Sequence, residues 1–403
     1  MHNDRPCGND VLLANAGVAR AGIAAPDLPT NPAIPVLRPL LPSADRLLPY
    51  LRRIDETRLY SNHGPLSEEL GGRLADTLGL PAGGVVCASS GTAALVGAIL
   101  AASGRAAPGR PLAIIPALTF AATASAVEQC GYQPYLADVD AESWMLAPDR
   151  LIDHPERQRV GLVVPVAPFG RPVPQEPWRH WRMTTGIPVV IDGAASFVGL
   201  AEQPGEFLGE IPAAISFHAT KAFATGEGGA VATSDVALAK RIAQTLNFGI
   251  SGIRDCATAS TNGKMSEYHA AVGLAEFDGW PEKLAAFRAV AQHYRQALAA
   301  VGLADRFYGA PDIGPNYALF RCRDAAESDR VQHRLRQASV DFRLWYGQGL
   351  HRQTYYANLP RDALGVTDNL APPLLGLPMA PDLEEAAIGR VVEVLSGGVR
   401  QGR

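Results

Sequence analysis

Along the first two thirds of the chain, short apolar runs alternate with stretches whose apolar residues recur at helical spacing. The runs Val85–Ala88, Leu112–Ile115, Pro134–Ala137, Leu162–Val166, Pro188–Ile191 and Ala213–Phe217 have strand length and are rich in branched side chains. Between them, Ala93–Ala102 and Ala121–Cys130 read as helices. Continuously apolar strands separated by helices predict a mostly parallel sheet covered on both faces. A helix pair follows over Met265–Asp278 and Pro281–Val301, with Pro281 suited to a first helical turn. Thereafter the pattern changes to a strand over Tyr317–Arg321, a helix over Ala325–Ala338, a strand over Asp341–Trp345 and a last helix over Leu383–Leu395. This predicts a large α/β domain over residues 31–280 and a smaller C-terminal α+β domain over 281–403. Residues 1–30, rich in Ala, Asn, Asp and Pro, are expected to be a loosely ordered tail.

The length of 403 residues and a hydrophobic fraction of 47% allow a large core. The net charge of −4, with no dense Lys/Arg stripe, argues against nucleic acid or an anionic membrane as partner. No apolar run reaches the ~18 residues of a membrane span, and the N-terminus lacks a secretory pattern. Five scattered cysteines without C-x-x-C spacing argue against a disulfide framework or a zinc site and fit a reducing cytoplasm. No metal-ligand spacing occurs among the nine histidines. Neither G-x-G-x-x-G after the first strand nor G-x-x-x-x-G-K-[ST] is present, so dinucleotide and P-loop readings are unsupported.

Candidate chemistry lies at four strand ends. In Ser216–Gly229 a strand end is followed by Lys221 and a glycine-rich turn. A desolvated lysine there can form a Schiff base with an aldehyde cofactor. In Ser89–Leu95 small residues lead into an alanine-rich helix, whose first backbone N–H groups, with Gly91 for close approach and the Thr92 hydroxyl, suit a phosphate. Asp192 ends a β-branched strand, where a carboxylate needs a cationic partner such as a protonated pyridine nitrogen. Phe120 follows another strand end and can stack on a flat ring. The ordinary alternatives are a loop lysine, two helix caps and a core phenylalanine. An amine, a phosphate cradle, an anion and a stacking ring together are what pyridoxal phosphate requires.

With these segments, and with Thr261–Glu267 and Leu377-Pro378, the chain resembles the DegT/DnrJ/EryC1/StrS aminotransferases over roughly residues 35–400. The resemblance implies a fold-type-I pyridoxal-phosphate enzyme with a seven-stranded sheet. It implies that Lys221 and Asp192 are catalytic, and that Gly91, Thr92, Phe120, Asp192, Ser216, Lys221 and Asn262 bind the cofactor. Asn262 would act across the interface of a homodimer with shared sites, and His351 would face substrate. Amino transfer from L-glutamate or L-glutamine to a nucleotide-linked keto sugar follows. An aminocyclitol transaminase, a sugar dehydratase or lyase, and a non-catalytic sensor or scaffold are the alternatives, and retention of Lys221 favours transfer. The chain departs from the family at Ala195, where Gln or His is usual three residues after the aspartate.

Overall fold

The computed structural model describes residues 32–252 and 255–400, so the expected N-terminal tail lies outside the described residues. Seven strands build the main sheet: β1 (Val85–Ala88), β2 (Leu112–Pro116), β3 (Gln133–Ala137), β4 (Val160–Val163), β5 (Ile191–Asp192), β6 (Ala213–Ser216) and β7 (Gly229–Ala232). Two ladders, β1-β7-β6-β5 and β3-β2-β4, are joined by parallel bridges from Val163 to Val189 and from Val166 to Asp192. The order is therefore β1-β7-β6-β5-β4-β2-β3. Every neighbouring pair is parallel except the two made by β7. The apolar side chains of β1, β2, β4 and β6 are buried, as a sheet covered on both faces requires.

The run expected over Leu162–Val166 is a ladder strand only over Val160–Val163, and that over Pro188–Ile191 only over Ile191–Asp192. Proline explains both breaks. Pro165 and Pro188 have no N–H to donate and enter the sheet through their carbonyls alone, accepting from Asp192 and Val163 respectively.

Helix Gly91–Ser103 follows β1, with the Ser90 hydroxyl accepting from Ala93 N at 3.0 Å. It packs on helix Val236–Leu246 so closely that a Cβ on Gly97 would lie 2.7 Å from a Leu246 methyl. Helices Ala44–Thr57 and Pro65–Thr77 precede the expected elements and bury Tyr50 and Ile54, and Leu66, Leu70 and Leu74, respectively. The first turn of the latter is held from a distance: Leu66 N and Ser67 N donate to the buried Glu267 carboxylate at 2.7 and 2.9 Å.

The C-terminal region carries a separate antiparallel sheet of Phe307–Tyr308, Leu319–Arg321 and Leu374–Gly376, flanked by helices Trp280–Ala300, Ala325–Gln337 and Glu385–Arg400. Asp341–Trp345 does not join it as the expected strand, and only Arg343 bridges to Gly376. The chain turns away at once through left-handed residues at Tyr346, Gly347, Gln348 and Gly349. Trp345 covers Gly376, where a Cβ would collide with the indole nitrogen.

Candidate active site

Strands β1, β2, β5 and β6 run parallel, so the segments leaving their C-terminal ends gather along one edge of the sheet, where open α/β sheets bind ligands. Ser89–Gly91 follows β1, Ala117–Phe120 follows β2, Asp192 ends β5, and the Lys221 loop follows β6.

Asp192 is buried. Its Oδ2 accepts from Thr123 Oγ1 at 2.7 Å and its Oδ1 from Ala194 N at 3.1 Å. Thr123 in turn shares a 2.6 Å hydrogen bond with Thr119. Among the described residues no cation pairs with this carboxylate. Burial holds its pKa above the ordinary aspartate value, opposed by the Thr123 hydroxyl, the Ala194 N–H and the charge of Lys221.

The loop between β6 and β7 is fixed by its own backbone. Phe217 N donates to Gly228 O, Ala219 N to Gly226 O and Lys221 N to His218 O. The half-buried Lys221 directs its Nζ to the Tyr317 hydroxyl at 3.3 Å, and Asn316 Nδ2 donates to Thr220 O at 3.2 Å. Tyr317 stands edge-on to Phe169 and Trp345. Phe169 stacks on Tyr346, whose hydroxyl accepts from Phe169 N at 3.2 Å. Burial, and the nearby Tyr317 and Asp192, raise the Tyr346 pKa above that of an ordinary phenol. Tyr317, Asn316, Phe169, Tyr346 and Thr123 did not stand out in the sequence.

The start of helix Gly91–Ser103 meets the end of β6 tightly. A Cβ on Gly91 would lie 2.6 Å from Ser216 Cβ, and one on Gly229 would lie 2.7 Å from Gly91 N. Gly91 and Ser216 are thus in close packing contact, with Thr92 next to Gly91 in the first turn of the helix, whose first N–H groups have no intrahelical partners. Phe120 is not a core residue: it is 62% exposed, a bare aromatic face beside the edge. Ala195 packs against the cluster of Phe169 and Tyr317.

Asn262 is exposed, accepts from Lys264 Nζ at 2.7 Å, and bridges to Asn247. Its segment borders the phosphate-type loop, because Ser89 N donates to Gly263 O at 2.7 Å. His351 is buried and tied to Asp368 at 2.9 Å, which Arg352 also binds. No contact joins His351 to Lys221, Asp192 or Phe120 among the described residues.

Pyridoxal phosphate fits these residues. A buried carboxylate in no ion pair among the described residues calls for a cationic N–H, the exposed Phe120 offers a stacking face, and the first backbone N–H groups of the helix that begins at Gly91 suit a phosphate.

The sequence profile of the DegT/DnrJ/EryC1/StrS aminotransferase family matches residues 43–396. The UDP-2-acetamido-2-deoxy-3-oxo-D-glucuronate aminotransferase of Pseudomonas aeruginosa is 30% identical over 83% of this chain and 90% of its own length. A putative PLP-dependent aminotransferase of known structure from Bacillus cereus superposes with a TM-score of 0.83 at 27% identity, covering 90% of this chain and all of that one. DesI, solved in the presence of its TDP-sugar product, superposes with a TM-score of 0.79 at 31% identity, covering 95% and 96%.

Proposed function

We propose, for a chain that belongs to the DegT/DnrJ/EryC1/StrS aminotransferase family, that it moves an amino group from L-glutamate or L-glutamine to a keto sugar carried on a nucleotide. The protein is a pyridoxal-phosphate-dependent aminotransferase. The observation that carries the reading is the convergence, on one sheet edge, of a buried carboxylate in no ion pair among the described residues with a lysine amine whose charge reaches it. The nucleotide sugars named for the P. aeruginosa relative and for DesI support the acceptor class.

Pyridoxal phosphate, when bound, supplies an electron sink for a carbanion at the donor's α-carbon. The protein holds and steers. Asp192 favours positive charge at the ring nitrogen, and Thr123 and Ala194 N fix its carboxylate plane. Gly91, Thr92 and Ser216 receive the phosphate. Phe120 covers one face and keeps water from it. Lys221 Nζ, as general base, takes the proton leaving the donor's α-carbon and returns it later in the cycle. Asn262 completes the site of a second subunit in a homodimer, which its exposed place at the border of the phosphate loop supports.

The test is the purified, cofactor-loaded protein with L-glutamate or L-glutamine and a panel of nucleotide-linked keto sugars and keto-cyclitols, followed by mass. Amination of a nucleotide-linked sugar is expected. Conversion of cyclitols alone would refute the acceptor assignment, and full turnover by Lys221→Ala would refute the scheme.

A further inference from the structure

We propose that Tyr317 positions Lys221: its hydroxyl accepts a hydrogen bond from the lysine amine and fixes the direction from which that amine enters the site. The proposal rests on the aminotransferase reading above, in which Lys221 is the reacting amine.

The geometry comes from both ends of the contact. Lysine ends a flexible four-carbon stem, so a loop that fixes its Cα leaves its nitrogen free to sample several rotamers. Here Nζ lies 3.3 Å from the Tyr317 hydroxyl and 5.9 Å from the centroid of its ring, within range of a cation–π contact. Tyr317 can serve as a reference point because it is itself immobile. It is 6% exposed, with Phe169 and Trp345 edge-on at 5.7 and 5.6 Å and its own N–H bonded to Gly314 O at 3.0 Å. Phe169 is fixed in turn by Gly314 N, which donates to its carbonyl at 2.8 Å, and by the Tyr346 hydroxyl on its N–H. A phenol buried in this way requires a hydrogen-bond partner, and Lys221 provides one.

The residue before Tyr317 strengthens the case. Asn316 is also buried, and its amide donates to Thr220 O at 3.2 Å. Two consecutive side chains therefore grip two consecutive residues of the lysine loop, one at the backbone and one at the amine. Both precede the Leu319–Arg321 strand of the C-terminal sheet, 96 positions from the residues they hold. The C-terminal sheet thereby sets the aim of a lysine that belongs to the main one.

The experiment uses Tyr317→Phe, which removes the hydroxyl and keeps the ring packing, in the wild-type and Lys221→Ala backgrounds. Pyridoxal phosphate is mixed with apoprotein, and the cofactor trapped by borohydride is followed with time. With Lys221 present, trapping and kcat are expected to slow roughly tenfold with KM nearly unchanged, the pattern of a misaimed reacting group. In the Lys221→Ala background, cofactor Kd is expected to be the same with Tyr or Phe at position 317. Wild-type trapping and kcat in Tyr317→Phe would overturn the proposal. So would a Kd that changes in the Lys221→Ala background, because Tyr317 would then touch the cofactor rather than the lysine. Trapping or turnover that survives Lys221→Ala would instead overturn the underlying reading. Should Tyr317→Phe fail to fold, Tyr317→Leu, which also lacks the hydroxyl that Lys221 meets, carries the same expectation and the same refutation.

Discussion

Replacing Asp192 with Asn should have opposite effects on the empty and the loaded protein. Without cofactor, the carboxylate is a buried anion whose burial outweighs the help of Thr123, Ala194 N and Lys221, so its pKa is raised. A raised folded-state pKa means that the folded protein holds the proton more tightly than the unfolded chain. The stability linked to that proton is complete below the unfolded aspartate value, about 4, and is lost as pH rises through the folded one. The neutral amide of the Asp192→Asn variant removes that loss. The hydrogen bonds can be remade: the amide oxygen accepts from Ala194 N, and the amide NH2 donates to Thr123, whose partnership with Thr119 can reverse direction. Apoprotein melting should therefore be equal or higher in Asp192→Asn at pH 7, with the difference shrinking towards pH 4. In the loaded enzyme the neutral amide no longer favours a protonated ring nitrogen. Loss of one charge-assisted hydrogen bond is about 1.5–3 kcal/mol, or roughly 10- to 150-fold in cofactor Kd. Differential scanning fluorimetry of apoprotein across pH and fluorescence titration with pyridoxal phosphate measure the two arms. An apoprotein that melts lower in Asp192→Asn at neutral pH, with unchanged cofactor affinity, would make Asp192 a turn-capping residue and refute the assignment.

Three further substitutions test the rest of the site. Gly91→Ala drives a methyl to 2.6 Å from Ser216 Cβ, and overpacking of this kind costs about 1–3 kcal/mol, so cofactor Kd and melting temperature should both worsen, read by titration and fluorimetry. Phe120→Ala should change apoprotein stability by less than about 0.5 kcal/mol because the ring is 62% exposed, yet weaken cofactor binding by about 0.5–1.5 kcal/mol through the lost stack; equal losses in both would place the ring in the core. Glu267→Ala strips two N–H partners from the start of helix Pro65–Thr77 and should destabilise the fold by about 2–4 kcal/mol in urea melts, a structural loss against which the site variants can be calibrated.

What the sequence disclosed was local, and what it hid was not. Lys221, Asp192 and Gly91 stood out because each follows a continuously apolar strand. In a parallel sheet such strand ends must share an edge, so one pattern gives both the strands and the side on which their polar termini meet. Phe120 was ambiguous for the same reason. Strand-end phenylalanines pack inward or stay exposed with no difference in the residues around them, and the 62% exposure removes Phe120 from the core. Tyr317 and Asn316 carry no signature of their own, because their significance comes from contacts 96 residues away. The two early helices carry apolar residues at helical spacing, Leu47, Tyr50, Leu51 and Ile54 in one and Leu66, Leu70 and Leu74 in the other, so their existence is legible in the sequence; what is not is the start of Pro65–Thr77, whose N–H groups are held by Glu267 from 200 positions downstream. His351 was expected on the substrate side from its place in the C-terminal stretch, and the structure shows its Nε2 bonded to Asp368, a partner 17 positions away that no local pattern announces.

The division of labour between the two sheets follows from the same physics. Parallel strands deliver side chains to one edge, but each strand end fixes only a Cα, and a lysine stem of four carbons turns that into a loosely aimed amine. An acid like Asp192 escapes the difficulty, since its short side chain is braced within its own neighbourhood by Thr123 and Ala194. The long side chain must be braced from outside, by an element that approaches the edge from across the site. The segment entering the Leu319–Arg321 strand does this with two buried residues, and the aromatic set of Phe169, Trp345 and Tyr346 holds that segment in turn. Changes in the C-terminal sheet that shift Tyr317 by an ångström should therefore reach catalysis through Lys221 without touching cofactor, substrate or Asp192.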